Sequence, residues 1–376
     1  MSVKGIKYIA PVFDGSGYGQ ASRGYVLALH KLGVPITIKP VSFDKNGPDL
    51  GKDGEILKSL VDNNVEYDVV VIHLTPEFWG QHKEVGKFNV GYTVWETSRL
   101  HSDWPGYIND NVDACMVGCE WNIEVFKNSG VTVPIYVVQH GIDVDGFDDI
   151  NPYKVTGIKE GAYKFYNIFQ FTERKHPMAL IKSYWAAFQN NENVAVILKT
   201  YRSNHSDEER SAIRTTLQRL KDVTPLDSYP PIYLISSLLS RDEVIGLHKY
   251  GDCLVSLDRG EGFGLVPFEA GVIGNSIMVT GLGGVLEFAN EANSNLVRYT
   301  LTPVSGMPWS PWYRGDQLWA EPDCAHAIEL FKEVYNNQKS ASDKGKLLEK
   351  NIKTNFSWEI VGRRMLNTLE SVSGGE

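Results

Sequence analysis

Two carboxylates, Glu261 and Glu269, stand eight positions apart around the turn Gly262-Phe263-Gly264, and no other spacing in this 376-residue chain carries chemistry as clearly. Upstream, Cys253-Leu254-Val255-Ser256-Leu257 is a short apolar run of buried-strand type, followed by the turn-forming stretch Asp258-Arg259-Gly260. Glu261 is therefore expected at the carboxyl end of a strand. Gly262 and Gly264 let the backbone turn sharply and approach a ligand closely. The apolar run from 265 to 273 is long enough to continue as a helix. Such a helix opens on unpaired N–H groups, which suit a phosphate or a sugar oxygen. Glu269 would lie one turn inside it, about 6 Å along the axis from Leu265. One carboxylate could then meet a sugar and the other a ribose.

The elements that must hold these residues alternate between strand and helix patterns. Residues 7–13 form an apolar run that ends in Gly15-Ser16-Gly17-Tyr18-Gly19, residues 20–32 have helical apolar spacing, and a strand resumes at Ile36. Further buried-type strands are expected at 68–73, 90–96, 114–117 and 135–138, with polar residues such as His73 and Glu96 at their carboxyl ends, where parallel sheets place ligands. A polar stretch to about 162 reads as a linker. The alternation then restarts, with strands at 165–171, 194–199, 232–235, 252–257 and 276–279, and helices at 178–188, 207–220, 241–249 and 323–336. Residues 298–321, with Pro303, Pro308, Pro311, Trp309, Trp312 and Trp319, do not look like regular structure. Their aromatics are read first as cover for a sheet edge and second as an acceptor lining. Two successive alternating halves imply an α/β protein of two Rossmann-like domains facing a cleft.

The Glu-x7-Glu segment with this filling resembles the family four retaining glycosyltransferases, and four other segments agree in order along the chain. Gly15 to Arg23 looks like the amino-terminal glycine loop, and Gln139-His140-Gly141-Ile142-Asp143 like the segment closing the first domain. Thr172-Glu173-Arg174-Lys175-His176-Pro177 looks like the basic phosphate-binding turn, and Phe356-Ser357-Trp358-Glu359 like the signature before the last helix. The match runs from residue 8 to about 370. It implies the GT-B fold, with an acceptor domain over 1–155, a donor domain over 156–356, and a last helix, about 357–376, crossing back to the first domain.

What the resemblance implies for individual residues is specific. Arg174 and Lys175 would take the donor diphosphate together with Gly17 and Gly19, offsetting charge on the leaving nucleotide. Glu261 would accept from sugar hydroxyls, Gly262, Phe263, Gly264 and Leu265 would offer backbone N–H groups, and Glu269 would bind the ribose. Lys199, at the end of the next strand, is a further donor-binding candidate. Many members carry an Arg five residues before the Lys, where this chain has Gln170, and a His where it has Glu96. His73, Glu96 and His140 are candidate cleft contacts, although a strand-end histidine is more often a satisfied structural residue. The pattern Gly17-x-Gly19-x-x-Ser22, with Asp44 about 20 residues on, also resembles a dinucleotide fingerprint. The loop is read as sugar-phosphate binding because a second-half Glu-x7-Glu has no place in a simple dehydrogenase.

Composition narrows the class further. A net charge of −9 gives no support for a nucleic-acid or acidic-membrane partner, with modified DNA kept open as an acceptor, and 42% hydrophobic with 22% charged residues is ordinary for a globular chain. No stretch approaches the ~20 apolar residues needed to span a bilayer and no signal peptide opens the chain, so a cytoplasmic setting is expected. Cys115, Cys119, Cys253 and Cys324 are too scattered for a disulfide framework or a zinc site. The expected function is sugar transfer from a UDP- or GDP-sugar to a glycan or other hydroxyl acceptor, with no cofactor and no catalytic metal. A sugar-nucleotide epimerase on the same fold and a non-catalytic sugar-nucleotide-binding protein are the alternatives.

Overall fold

A computed structural model describes residues 3–42, 47–191, 193–307 and 310–374. Asp44, Pro308 and Trp309, singled out above, lie outside the described residues. The chain divides into two units, Met1–Asp143 with Thr354–Glu376, and Val144–Lys353.

The first unit runs β1 (Ile6–Ala10), α1 (Gly17–Lys31), β2 (Ile36–Pro40), α2 (Gly51–Leu60), β3 (Val69–His73), β4 (Phe88–Thr93), α3 (Trp104–Asn111), β5 (Ala114–Val117), α4 (Glu120–Asn128) and β6 (Ile135–Val137). Its sheet is parallel throughout, in the order β2-β1-β3-β4-β5-β6. Every residue of β3, Val-Val-Val-Ile-His, is buried, as expected of a central strand covered on both faces. Ser16 caps α1 by accepting from the Gly19 amide at 3.1 Å.

The second unit runs β7 (Tyr163–Gln170), α5 (Pro177–Ala187), β8 (Val194–Tyr201), α6 (Asp207–Asp222), β9 (Ile232–Ile235), α7 (Arg241–Tyr250), β10 (Cys253–Ser256), α8 (Leu265–Val272), β11 (Ser276–Thr280), β12 (Asn295–Val297), β13 (Tyr299–Pro303), β14 (Leu318–Pro322), α9 (Cys324–Asn336) and α10 (Gln338–Asn355). Six of its strands form a second parallel sheet, β12-β11-β10-β7-β8-β9. Its core is aromatic: Phe165, Tyr184, Phe188 and Phe331 pack at ring separations of 4.9 to 6.4 Å.

After α10 the chain rejoins the first unit through α11 (Trp358–Ser373). The Ile142 amide donates to the Phe356 carbonyl at 2.9 Å, and Ser357 caps the helix. Trp358 fills the space left by two missing side chains: a Cβ at Gly24 would sit 1.9 Å from its ring, and one at Gly141 2.5 Å. Gly362 in turn lies so close to Ala28 that a Cβ would be 2.7 Å from the alanine methyl. These small residues let α11 lie against α1.

Two sequence expectations need correction. Residues 298–321 are irregular only in part: β13 and β14 pair antiparallel from Tyr299↔Pro322 to Pro303↔Leu318, while the described residues between them carry no helix or strand. Pro303 and Pro322 fall at the strand ends, where no ladder amide is needed, and Trp319 is buried against Val304 and Met307. Helices α2, α3, α4 and α10 were also not anticipated. The stretch after Asp143 carries no helix or strand, yet Lys249 of α7 donates to the Phe147, Asp148 and Ile150 carbonyls, and the Tyr153 amide bonds Gly246 at 2.9 Å. Among the described residues no helix is long and apolar enough to cross a membrane.

Candidate functional site

Three loops meet at the carboxyl ends of β7, β10 and β11. The first carries Arg174 and Lys175 and turns into α5 through His176, whose φ of +43° puts a non-glycine residue in the left-handed region. The second carries Asp258 to Gly264 and enters α8 through Gly264 at φ +91°, where a side chain would also strike Val285. The third is Gly281-Leu282-Gly283-Gly284. A Cβ on Gly284 would lie 2.3 Å from the Gly262 carbonyl oxygen, so only glycine allows the two loops to touch. Backbone bonds join all three: Arg259 N–H to Arg174 C=O at 2.8 Å, and Gly284 N–H to Glu261 C=O at 2.9 Å.

On that frame Arg174, Lys175 and Glu261 converge. Lys175 Nζ binds Glu261 Oε1, and Arg174 Nη1 donates to the Gly260 carbonyl at 2.6 Å and lies 3.4 Å from the same Glu261 oxygen. Burial alone would raise the Glu261 pKa, but Lys175 and Arg174 hold it down at about 2. The carboxylate is therefore ionised, 13% exposed, and backed by two cations. Asp258, which sequence reasoning treated only as part of a turn, lies beside it. It accepts from Ser256 Oγ at 2.5 Å and sits 3.9 Å from Lys175 Nζ.

Glu269 does not join this cluster. It is buried on α8, with Oε1 2.5 Å from Arg241 Nη1 and Oε2 3.6 Å from His248 Nε2. Tyr166 anchors that histidine at 2.9 Å and accepts from Asn275 at 2.7 Å. Lys199 is buried near the end of β8 with its ammonium 5.6 Å from the Tyr201 ring, and burial lowers its pKa to about 8. Gly262, Phe263 and Leu265 take the positions expected around the start of α8.

A further group links the β13–β14 hairpin to the site. Arg259 stacks on Trp319 at 4.9 Å and donates to Glu321 at 2.8 Å, Glu321 bonds His176 at 2.9 Å, and the Ala320 amide bonds the Arg259 carbonyl at 2.8 Å. Burial and Arg259 keep His176 below its ordinary pKa. None of these partners is close in sequence, so the group was missed. The glycines at 281, 283 and 284, directly after a strand-type run, were a signal that could have been read.

The candidates of the first unit have different surroundings. Gly17 is exposed at the start of α1, whereas Gly19 is buried so tightly that a Cβ would lie 2.4 Å from the Asp14 carbonyl oxygen, a packing reason for glycine there. His73 is buried with Nδ1 2.9 Å from Tyr8 Oη, ringed by Tyr18, Tyr25 and Tyr92. His140 is buried 3.4 Å from Tyr25 Oη. Burial pushes the His140 pKa down to about 3 and His73 well below its usual value, so both rings are neutral. Glu96 is half-buried in the loop after β4. Among the described residues no group of three His, Cys, Asp or Glu is placed to hold a metal ion.

No protein-family model matches the chain. One curated relative, uncharacterized protein 356 of Sulfolobus islandicus rod-shaped virus 1, is 22% identical over 304 residues, 79% of this chain and 80% of that protein. Solved structures match almost end to end. Sucrose-phosphate synthase from Thermosynechococcus elongatus has a TM-score of 0.70 at 13% identity, covering 99% of this chain and all of that one. HepE of Anabaena, solved with UDP and glucose, has a TM-score of 0.64 at 12% identity over 98% of this chain and all of that one. A glycosyltransferase from Rickettsia africae gives 0.65 at 12% identity over 99% of each. The chain has the GT-B fold.

Proposed function

We propose that this protein is a retaining glycosyltransferase that moves a sugar from a UDP- or GDP-sugar to a hydroxyl acceptor, a glycan in the first instance, without a catalytic metal. The observation that carries the reading is the convergence of Arg174, Lys175 and Glu261 at the strand ends of one parallel sheet, against the uncapped start of α8. Two fixed cations match a diphosphate that gains charge as it leaves, a role played elsewhere by a bound ion. The ionised Glu261 accepts from sugar hydroxyls, and Glu269, one turn along α8, from a ribose. HepE, a protein of the same fold, binds UDP and glucose, which supports a nucleotide-sugar as donor.

The reaction breaks the bond between the anomeric carbon and the diphosphate oxygen and forms one to the acceptor oxygen on the same face. The acceptor's proton passes to the departing phosphate, so no protein base is required. Arg174 and Lys175 stabilise the leaving group, and Lys199, still mostly charged at neutrality, adds a third cation near the end of β8, the strand beside β7.

The test is release of free nucleotide from a panel of UDP-, GDP- and ADP-sugars in EDTA, with mixed glycan acceptors, by the native chain and Glu261→Gln. Turnover of one donor, lost in the variant, is expected. Activity that requires added manganese contradicts the metal-free reading. A new nucleotide-sugar formed without acceptor identifies an epimerase, and binding with no turnover identifies a binding protein.

A further inference from the structure

Asp258 has no role in the reaction just described, yet its surroundings are those of a group under constraint. It is 4% exposed at the base of a small cavity lined by Ser256, Gly260, Glu261, Thr280 and Val285. Oδ2 is satisfied by Ser256, but buried Oδ1 has no hydrogen-bond partner, and neither has Oγ1 of Thr280, which lines the same cavity. A buried carboxylate oxygen without a donor is costly. The neighbouring ionisable groups are Lys175, from the loop before α5, and Glu261, from the loop before α8, with Arg174 beyond Glu261. Glu261 is within hydrogen-bonding reach of Asp258, although two carboxylates cannot bond each other unless one holds a proton.

We propose that Asp258 is a proton-bearing positioning residue: as the neutral acid it donates to the Glu261 carboxylate and leaves Arg174 and Lys175 with one net positive charge for the donor diphosphate. This rests on the transferase reading for its ligand but not for its proton. With both carboxylates ionised, the four groups sum to zero and a diphosphate meets a neutral site. With Asp258 protonated they sum to +1. The same proton allows the hydrogen bond between the two carboxyl groups that two ionised carboxylates cannot make. Burial and the adjacent Glu261 charge favour the acid form, against Lys175, and push Asp258 up to about 7. Donor affinity should therefore fall as pH rises through neutrality.

Two measurements separate the proton from its consequence. Binding of UDP-glucose and GDP-mannose, whose diphosphate diesters do not titrate near neutrality, is followed by calorimetry from pH 6 to pH 8.5. In the native chain the Kd of the bound donor is expected to weaken about tenfold across this range, since at most one proton is linked. In Asp258→Asn most of that slope should vanish, leaving only the part from Lys199, which survives in the variant. An unchanged slope in Asp258→Asn overturns the proposed effect on the donor. Thermal unfolding tests the proton without any ligand. The native state holds a proton that unfolded Asp258 releases above about 4, so native stability falls relative to Asp258→Asn from about pH 4 to pH 7. Parallel stability curves overturn the proton assignment. If neither donor binds at any pH, the transferase reading fails while the unfolding curves still decide the proton. Should Asp258→Asn not fold, the carboxyl carbon-13 titration of the native chain reads the same group.

Discussion

The two parallel sheets end in chemically opposite clusters. At the carboxyl ends of the second sheet stand Arg174, Lys175, Asp258 and Glu261, four ionisable groups held by backbone bonds between three loops. Around the strand ends of the first stand Tyr8, Tyr18, Tyr25, His73, Tyr92 and His140, a buried network with no formal charge. Tyr25 Oη is its hub, 2.9 Å from Tyr92 Oη and bonded to the Val138 and Gln139 carbonyls at 3.0 and 2.7 Å. One topology thus supports either a fixed electric field or a neutral, hydrogen-bonded aromatic wall. Only the first matches the charge of a nucleoside diphosphate.

The largest effect should come from the charged side. Lys175→Ala and Arg174→Ala are each expected to lower turnover by about 10²- to 10³-fold, the usual cost of removing one donor from a developing anion. Steady-state nucleotide release checks this, and a loss below about threefold in both variants would erase the distinction between the clusters. Next in size are the two glycine contacts. Gly24→Ala, which drives a methyl into the Trp358 ring, should cost about 1–3 kcal/mol of stability through overpacking. Gly284→Ala meets backbone instead and should impair donor binding as well. Urea unfolding paired with donor titration separates the two.

On the neutral side, Tyr25→Phe removes the hydroxyl that bonds Tyr92 and the Gln139 carbonyl, while Tyr92 still donates to the Val138 carbonyl at 2.7 Å, and should cost about 1 kcal/mol in urea unfolding. A further effect is set by acid. His73 and His140 are neutral when folded but protonate near pH 6.5 when unfolded, so their contribution is complete above about 6.5 and is lost as pH falls below it. The ionised Glu261 adds a loss only from about 4.5 down to 2. In Asp258→Asn, where the opposing Asp258 proton is absent, thermal stability should fall between pH 6.5 and 5, and a flat curve over that window would mean the histidines are not held neutral.

How much of this was legible in the sequence follows from the range of each interaction. The two Rossmann-like halves were readable because buried parallel strands write continuous apolar runs, and β9 was placed at its observed limits, Ile232–Ile235. Helix α10 was missed because its buried positions are only Ala341, Gly345, Leu348 and Ile352, too sparse and small for a clear stripe. The hairpin was missed because its prolines and tryptophans look like loop until Trp319 finds Arg259. Within the site, the turn from Glu261 to Leu265 is local and could be read in place. The partners of Glu261, Glu269 and His176 cannot be, because Lys175 lies 86 residues away, Arg241 28 and Glu321 145. Asp258 passed for a turn residue since nothing in Asp-Arg-Gly shows that it will be buried.

The most direct test of the central claim, that the charged strand ends take the donor, is calorimetric binding of UDP and GDP to the native chain, Lys175→Ala and Tyr25→Phe at pH 6.5 and low salt. The expected result is tight binding of one nucleotide, weakened at least about tenfold in Lys175→Ala and unchanged within about twofold in folded Tyr25→Phe. Equal affinity in the native chain and Lys175→Ala would contradict it.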